Sequence, residues 1–267
     1  MNRMPASQLR ENTIDPQSTL QKTSQGESLM KRYTQTSVLL FSVLLFSVLL
    51  LTAGTANAHF PWLTIEDGKA TYFFGEDPAD RTYKLPPTIA KAEITMRSGA
   101  EKSAVETKMI ESDKFIGKQS VAVLPGKVDL ISQTIFGVYN GAKLQYYTQH
   151  LGGVMPTRFS ACKPIKGMDL QAHAVNTESG VDIYVLWQGK PLADAEVTLF
   201  CDEGHQEGDG TTGKDGKVSF TDKEVEEGIN GIMVGHTLAG DSGRVGDQEY
   251  DSAMHYLTAT FADPEDK

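Results

Sequence analysis

The chain has 267 residues and is acidic, with 35 Asp and Glu against 25 Lys and Arg. Nucleic-acid binders gain affinity by neutralising phosphates with Lys and Arg, so this composition argues against a nucleic-acid partner. The wide spacing of the two cysteines, Cys162 and Cys201, excludes a C-x-x-C redox motif and a haem-attachment motif. In an oxidising compartment these cysteines are either paired or free, and the sequence leaves both states open.

An apolar run, VLLFSVLLFSVLLLT, covers residues 38–52. It is shorter than the roughly 20 apolar residues of a membrane-spanning helix. Lys31 and Arg32 precede the run, and Ala56-Asn57-Ala58 follows it. This order of positive charge, apolar centre and small residues is typical of a secretory signal peptide. We therefore expect residues 1–58 to form a leader that is cleaved after Ala58.

Cleavage at that point would give a periplasmic or secreted protein that begins at His59. Residues 1–29 are polar and have no hydrophobic periodicity, so no fold is predicted for them, and translation starts either at Met1 or at Met30. The alternative is an uncleaved leader that anchors the chain in the membrane. Because the leader holds five basic and three acidic residues, the mature part is more acidic than the whole chain, whose net charge is −10.

Short β patterns dominate the chain after the leader. Residues 59–65 and 69–74 alternate as two strands, and Asp67-Gly68 between them supplies the positive-φ positions of a tight hairpin turn. Turn residues then separate further short predicted strands, which cover residues 92–97, 105–110, 120–123, 128–133 and 144–148. Many short strands with regular turns indicate a sandwich, so residues 59–163 are predicted to form a first β-sandwich domain.

The second half has a clearer alternation of apolar and polar residues. Its apolar stripes cover residues 181–187, 197–201, 218–220, 232–238 and 255–261. About seven strands in roughly 100 residues match the size of an immunoglobulin-like sandwich. The predicted fold is therefore all-β, with two consecutive β-sandwich domains. The second covers residues 168–263, and the boundary lies near residues 162–167.

Two stretches of the second half carry a family resemblance. VDIYVLWQGKPLADAEVTLFCD (residues 181–202) and TTGKDGKVSF (residues 211–220) resemble the transthyretin-like or carboxypeptidase-regulatory-like module. With the leader, the AHFPW start at residues 58–62 and the MHYLTATF strand at residues 254–261, the layout is similar to one family of exported two-domain β proteins. That family is a domain of unknown function grouped with the periplasmic component of cobalt/nickel uptake systems. The resemblance implies a metal-related role.

His59 is the sharpest chemical feature, because cleavage after Ala58 would make it the first residue. Its free α-amine and its ring Nδ1 would then close a six-membered chelate ring on one metal ion. An α-amine and an imidazole are both available as neutral donors at mildly alkaline pH. A second histidine would complete a T-shaped histidine brace, which suits Cu(II) because that ion accepts tetragonal nitrogen geometry. The alternative is a first residue without a metal role.

The second histidine has two candidates, His236 and His255, on neighbouring predicted strands joined by a Gly- and Asp-rich loop over residues 240–249. If these strands form an antiparallel pair centred between Val245 and Gly246, the two histidines face each other. Opposed residues have Cβ atoms about 5 Å apart, a span that two imidazoles can bridge through one metal ion. Both histidines also fit the apolar face, so hydrogen-bonded core histidines are the alternative.

The remaining polar clusters are predicted to have no chemical role. Residues 76–80 read as a solvated acidic loop, and residues 202–210 around His205 as a solvated turn, although such a loop could hold Ca²⁺. We expect His150 and His173 to be structural or exposed.

These patterns favour an exported binding protein for nickel, cobalt or copper in uptake or delivery, with His59, His236 and His255 as ligands. Its partner would be a membrane transporter or an envelope protein. The chain lacks a G-x-S-x-G elbow, a P-loop and an H-E-x-x-H motif, so we predict that it is not an enzyme. One alternative is a structural or interaction module of the cell envelope without metal. A copper-dependent oxidative enzyme built on a histidine brace is the other.

Overall fold

The computed structural model of the protein describes residues 59–98, 101–153 and 155–262. The predicted leader and its cleavage point lie outside the described residues. Within them, β-strands dominate and helices are few and short, which confirms the predicted all-β fold of sandwich type. No helix in these three ranges is long and apolar enough to cross a membrane.

The first half contains eight strands, which follow each other at short intervals: β1 (Phe60–Glu66), β2 (Lys69–Gly75), β3 (Ile94–Ser98), β4 (Glu101–Ala104), β5 (Thr107–Glu111), β6 (Ile116–Ser120), β7 (Asp129–Tyr139) and β8 (Ala142–Leu151). One turn of helix, α1 (Pro87–Ala90), separates β2 from β3. The sequence missed β4, because all four of its residues are exposed and carry no alternating apolar pattern.

The second half contains eight further strands: β9 (Leu170–Thr177), β10 (Gly180–Trp187), β11 (Lys190–Pro191), β12 (Glu196–Phe200), β13 (Gln206–Thr211), β14 (Lys217–Thr221), β15 (Ile229–Val245) and β16 (Gln248–Ala262). A short 3₁₀ helix, Phe159–Ala161, precedes β9. A solvated turn was predicted over residues 202–210, but β13 begins at Gln206 within this range and pairs with β12.

The strands of the described residues form three sheets. The largest has eight strands in the order β13-β12-β15-β16-β8-β7-β3-β4. A second sheet has the order β1-β2-β6-β5, and in the third β10 is flanked by β9 on one side and by β11 and β14 on the other. The side chains of neighbouring residues in the eight-stranded sheet point to opposite faces. Tyr146 accordingly belongs to the core under β1 and β2, whereas Tyr147 belongs to the core under β9 and β10.

The eight-stranded sheet thus forms the middle of three layers. Its centre is the parallel pairing of β8 with β16, which runs in register from Ala142 opposite Ser252 to Leu151 opposite Phe261. This pairing joins a strand of the first predicted domain to the last strand of the second. The predicted boundary near residues 162–167 therefore separates two sets of strands that share one sheet and lie in one compact unit.

The β15–β16 hairpin has the predicted register at its base, where His236 is the partner of His255. The expected loop over residues 240–249 is instead mostly strand, ending in a tight turn at Gly246-Asp247. An irregularity between Ala239 and Gly243 shifts the register, which moves the turn by one position from the predicted centre.

Candidate metal centre

The β1–β2 hairpin brings the end of β2 back to His59. Asp67 and Gly68 form its turn with φ values of 50° and 72°, the two positive values that a type I′ hairpin turn requires. The register pairs Phe60 with Gly75 at the open end of the hairpin. The next residue outward on each strand is therefore His59 on one side and Glu76 on the other.

The loop after β2 folds back over its own start. Asp77 Oδ1 accepts hydrogen bonds from the backbone N–H groups of Ala79 at 2.8 Å and Asp80 at 3.0 Å. Asp80 Oδ2 in turn accepts one from the backbone N–H of Glu76 at 3.0 Å. Gly75 permits this close approach, because a Cβ at that position would lie 1.9 Å from the Asp80 carbonyl oxygen. The loop therefore holds the Asp80 carboxylate beside Glu76.

Two carboxylates converge on the ring of His59. Its Nε2 lies 3.8 Å from Glu76 Oε1 and 3.7 Å from Asp80 Oδ2. Both distances exceed the range of a direct N–H···O hydrogen bond. The His59 ring lies against Tyr83, with ring centroids 3.9 Å apart, and near Phe74 at 5.9 Å. The aromatic side chains restrict the ring, and the side chains of His59, Glu76 and Asp80 remain 21%, 38% and 31% exposed.

This spacing is close to what one bound cation requires. Nitrogen and oxygen donors bind a transition metal at roughly 2.1 Å, which places two donors of one ion roughly 3.0–3.6 Å apart. The observed separations of 3.7 and 3.8 Å from Nε2 lie slightly above this range. The ligand atoms of His59, Glu76 and Asp80 do not all lie within 4.8 Å of one another, so binding of one ion would require both carboxylates to move toward it. An imidazole with two carboxylates is a donor set that accepts divalent transition metals. We call His59, Glu76 and Asp80 the acidic corner.

His236 and His255 meet on the opposite face of the middle sheet, as a pair of opposed residues. Their ring centroids lie 6.5 Å apart, and the Trp187 ring contacts both, at 4.7 Å from His236 and 4.6 Å from His255. Tyr147 Oη shares a hydrogen bond of 3.1 Å with His255 Nδ1. His255 Nε2 is buried and has no hydrogen-bond partner among the described residues.

The electrostatic setting of this pair differs from that of the acidic corner. Burial lowers the pKa of His255 to about 4, and the nearby positive charge of Lys143 acts in the same direction. Burial also lowers the pKa of His236. Both rings are therefore neutral at pH 7 and contact Trp187. His255 is buried and shares its hydrogen bond with the Tyr147 side chain, whereas His236 is half-buried, so only His255 resembles the core histidine of the alternative interpretation.

The structure does not bring His59 to the His236–His255 pair. Thr258 and Thr260 donate hydrogen bonds to the carbonyl oxygens of Pro61 and Leu63, so these two threonines face β1. His255 is an odd number of residues away from both threonines on β16. Because side chains alternate along a strand, His255 faces the other side of the sheet. The predicted three-histidine set, and a brace that joins His59 to either of the other two, is thus not assembled.

Other potential ligands gather around Cys201. The ligand atoms of Cys201, His205 and Glu207 lie close together, as do those of Cys201, Asp202 and Glu226. Burial raises the pKa of the Cys201 thiol, which disfavours the thiolate that binds metals. The His205 side chain is 70% exposed. Cys162 and Cys201 are both free, so they do not form the disulfide that the sequence left open.

Comparison of the chain with protein-family models found no match, and a search of curated proteins found none either. The resemblance to exported two-domain β proteins therefore stays a prediction. Sequence reasoning treated Glu76 and Asp80 as part of a solvated loop. The signal that could have found them was the Asp67-Gly68 turn, because counting outward from it places residue 76 opposite His59.

Proposed function

We propose that this is an exported metal-binding protein, periplasmic or secreted, that holds a nickel, cobalt or copper ion at the acidic corner for uptake or delivery. The observation that carries the proposal is the convergence of Glu76 and Asp80 on one ring nitrogen of His59. The acidic charge of the chain favours the approach of cations to this partly exposed position. A membrane transporter or another envelope protein is the proposed receiver of the ion.

The ligands differ from those expected from the sequence. A chelate by one residue would use the α-amine and Nδ1 of His59, whereas the nitrogen that faces the carboxylates is Nε2. An ion held between Nε2, Glu76 and Asp80 does not need a free amine. The proposal therefore places the ion on the carboxylate side of the ring, and the two binding modes make different predictions.

Isothermal titration calorimetry of an untagged chain that begins at His59 tests the proposal, with Ni²⁺, Co²⁺ and Cu²⁺ as titrants. We expect uptake of one ion per chain. His59→Ala, Glu76→Gln and Asp80→Asn should each weaken binding at least 10-fold, because each removes one of the three donors of the acidic corner. A chain that takes up no metal would support the interaction-module alternative and overturn the proposal.

His205→Ala is the matched control. His205 Nδ1 lies 3.8 Å from Glu203 Oε2, so it forms a histidine–carboxylate pair of the same length on a fully solvated loop. We expect its substitution to leave metal affinity unchanged. A large loss in this variant, with none in His59→Ala, would place the ion at the Cys201, His205 and Glu207 group instead.

A second form of the protein separates the two binding modes. Retaining Ala58 ahead of His59 converts the α-amine of His59 into an amide, which abolishes a chelate through the amine and Nδ1. The site at Nε2, Glu76 and Asp80 should survive this extension with an affinity within about threefold of the processed chain. Loss of binding on extension, together with no effect of Asp80→Asn, would contradict the proposed ligand set.

A further inference from the structure

A cavity of about 640 Å³ borders the middle sheet, and no residue of the acidic corner lines it. Its walls are β3, β4, β7 and β8 of the middle sheet, the connection between β8 and β9, and β9 itself. A neighbouring cavity of about 540 Å³ continues from it, and Lys102 and Lys166 line both. Residues of the predicted domain boundary, 162–167, line both cavities.

Positive charge is concentrated in the larger cavity. Arg97, Lys102, Lys163 and Lys166 line it, against one carboxylate, that of Asp129. Arg97 is the Cα partner of Lys102 on one side and of Asp129 on the other. Lys102 Nζ also donates a hydrogen bond of 3.3 Å to the Lys166 carbonyl oxygen, which draws β4 and the connection together. This cluster is positively charged, although the chain as a whole has a net charge of −10.

Two polar atoms of this region are buried and have no hydrogen-bond partner among the described residues: Nε of Arg97 and Nε2 of His173. A buried donor without a partner costs roughly 1–3 kcal/mol, and more when the group is charged. Burial lowers the pKa of His173 to about 4, and the positive charge of Arg97 acts in the same direction. The ring is therefore neutral at pH 7, and the two side chains lie beside each other at the cavity wall.

The cavity also has an apolar wall. Leu151, Met155, Pro164 and Ile165 line it together with the charged residues. Sites for small molecules usually have volumes of about 300–1,000 Å³ and combine apolar walls with a few polar anchors. Free phosphate or sulfate would fill only part of this volume and would make no use of the apolar side chains.

We infer that this cavity binds a small organic anion, with a carboxylate or another oxyanion group against Arg97 and an apolar body against Leu151, Met155 and Ile165. The planar guanidinium suits this role because it pairs with oxyanions in a fixed geometry. The inference is independent of the metal site, which lies on other strands and has the opposite charge.

Fluorescence titration with 8-anilinonaphthalene-1-sulfonate tests the inference, because this probe carries an oxyanion on an apolar body. The titration uses the processed chain with EDTA present, so that bound metal plays no part. We expect saturable binding of one probe per cavity and competition by octanoate. Octanol, which has the same chain length but no charge, should compete at least 10-fold less well. Equal competition by the two compounds would overturn the inference.

Arg97→Gln should weaken probe binding at least 10-fold, and Arg97→Lys should retain part of it. Arg244→Gln is the matched control, because Arg244 lies at the exposed end of the β15–β16 hairpin, 3.9 Å from Glu249, and its substitution changes the net charge equally. The melting temperature of each variant shows that it is folded. Equal loss in the Arg97 and Arg244 variants, or no loss in either, would contradict the assignment.

A second readout uses the wild-type protein alone. Cys162 lines the cavity and is partly exposed, whereas Cys201 is fully buried. Burial and the negative charge of Asp129 raise the pKa of the Cys162 thiol, so alkylation by iodoacetamide is followed at pH 9. Octanoate at saturating concentration should slow the alkylation of Cys162 at least threefold. An unchanged rate would show that the anion binds elsewhere.

Discussion

The acidic corner and the basic cavity differ both in charge and in how the chain builds them. The corner is formed by residues within one hairpin and its following loop, from His59 to Asp80. The cavity combines residues of β3, β4, β7, β8, β9 and the connection before β9, which together extend from Arg97 to Ala174. The net charge of a chain therefore says little about an individual site, because folding can gather the minority charge in one place.

The two regions also differ in the burial of their histidines and in the charged groups beside them. His59 is partly exposed and faces carboxylates, whereas His173 is half-buried beside a guanidinium. A carboxylate environment favours the capture of cations. A guanidinium environment with unpaired donors favours the capture of anions. Three experiments test whether this contrast holds, and the first should change binding the most.

The first removes both carboxylates of the corner. Glu76→Gln combined with Asp80→Asn should weaken metal binding at least 100-fold, or about 2.7 kcal/mol, because only the imidazole remains as a donor. Probe binding at the cavity should stay within twofold of the wild type, since the two regions share no residues. Calorimetry and fluorescence titration measure the two quantities. A parallel loss of probe binding would show that the regions are coupled and break the comparison.

The second experiment tests a buried histidine, in contrast to the partly exposed His59 of the acidic corner. His150 is 4% exposed, shares a hydrogen bond of 2.8 Å with Thr260 Oγ1, and burial lowers its pKa to about 4. Between pH 6.5 and 4 the unfolded chain binds this proton more readily than the folded chain. The folded state therefore loses stability as the pH falls, by about 2 kcal/mol from this residue at pH 5.

Urea unfolding at pH 7.5 and pH 5 measures that loss. His150→Asn retains a group that can bond to Thr260 but does not titrate, so its free energy of unfolding should fall less on acidification than that of the wild type. Equal pH dependence in the wild type and His150→Asn would contradict the assignment.

The third and smallest effect is the sign of the pH dependence of binding. An anion beside His173 favours its protonated form, so probe affinity should rise a few-fold from pH 7 to pH 5. Protons compete with metal for the donors of the corner, so metal affinity should fall over the same range. The charged groups around His173 are those of the cavity, and Asp129 is the one that partly offsets the effect. If probe affinity and metal affinity changed in the same direction with pH, the contrast between the two regions would be contradicted.

Sequence reasoning succeeded where the relevant contacts are local. The Asp67-Gly68 turn predicted the first hairpin, and the alternation of residues 232–238 and 255–261 predicted that His236 opposes His255. Both follow from the period of two in a β-strand and from the few turn types that suit a hairpin. The same reasoning missed β4 and β13, whose exposed or glycine-rich residues carry little apolar signal.

It could not tell which histidines share a site. All three candidates occupy suitable positions on their own strands, yet His59 lies on one face of the middle sheet and the other two on the opposite face. The face that a strand presents to another layer depends on long-range packing. The cavity was invisible for the same reason, since Arg97, Lys102 and Lys166 are unremarkable residues until the strands are assembled.

The all-β class, the two hairpins and the pairing of His236 with His255 could be predicted from the sequence, because they depend on neighbours along the chain. The tertiary structure alone decided that strands of both halves share one sheet, through the parallel pairing of β8 with β16. The tertiary structure also determines which charged groups lie together, in the acidic corner and in the basic cavity. Two parallel strands are not joined by a tight turn, so no turn motif in the sequence reveals their register. Their pairing depends instead on the burial of both faces of the sheet.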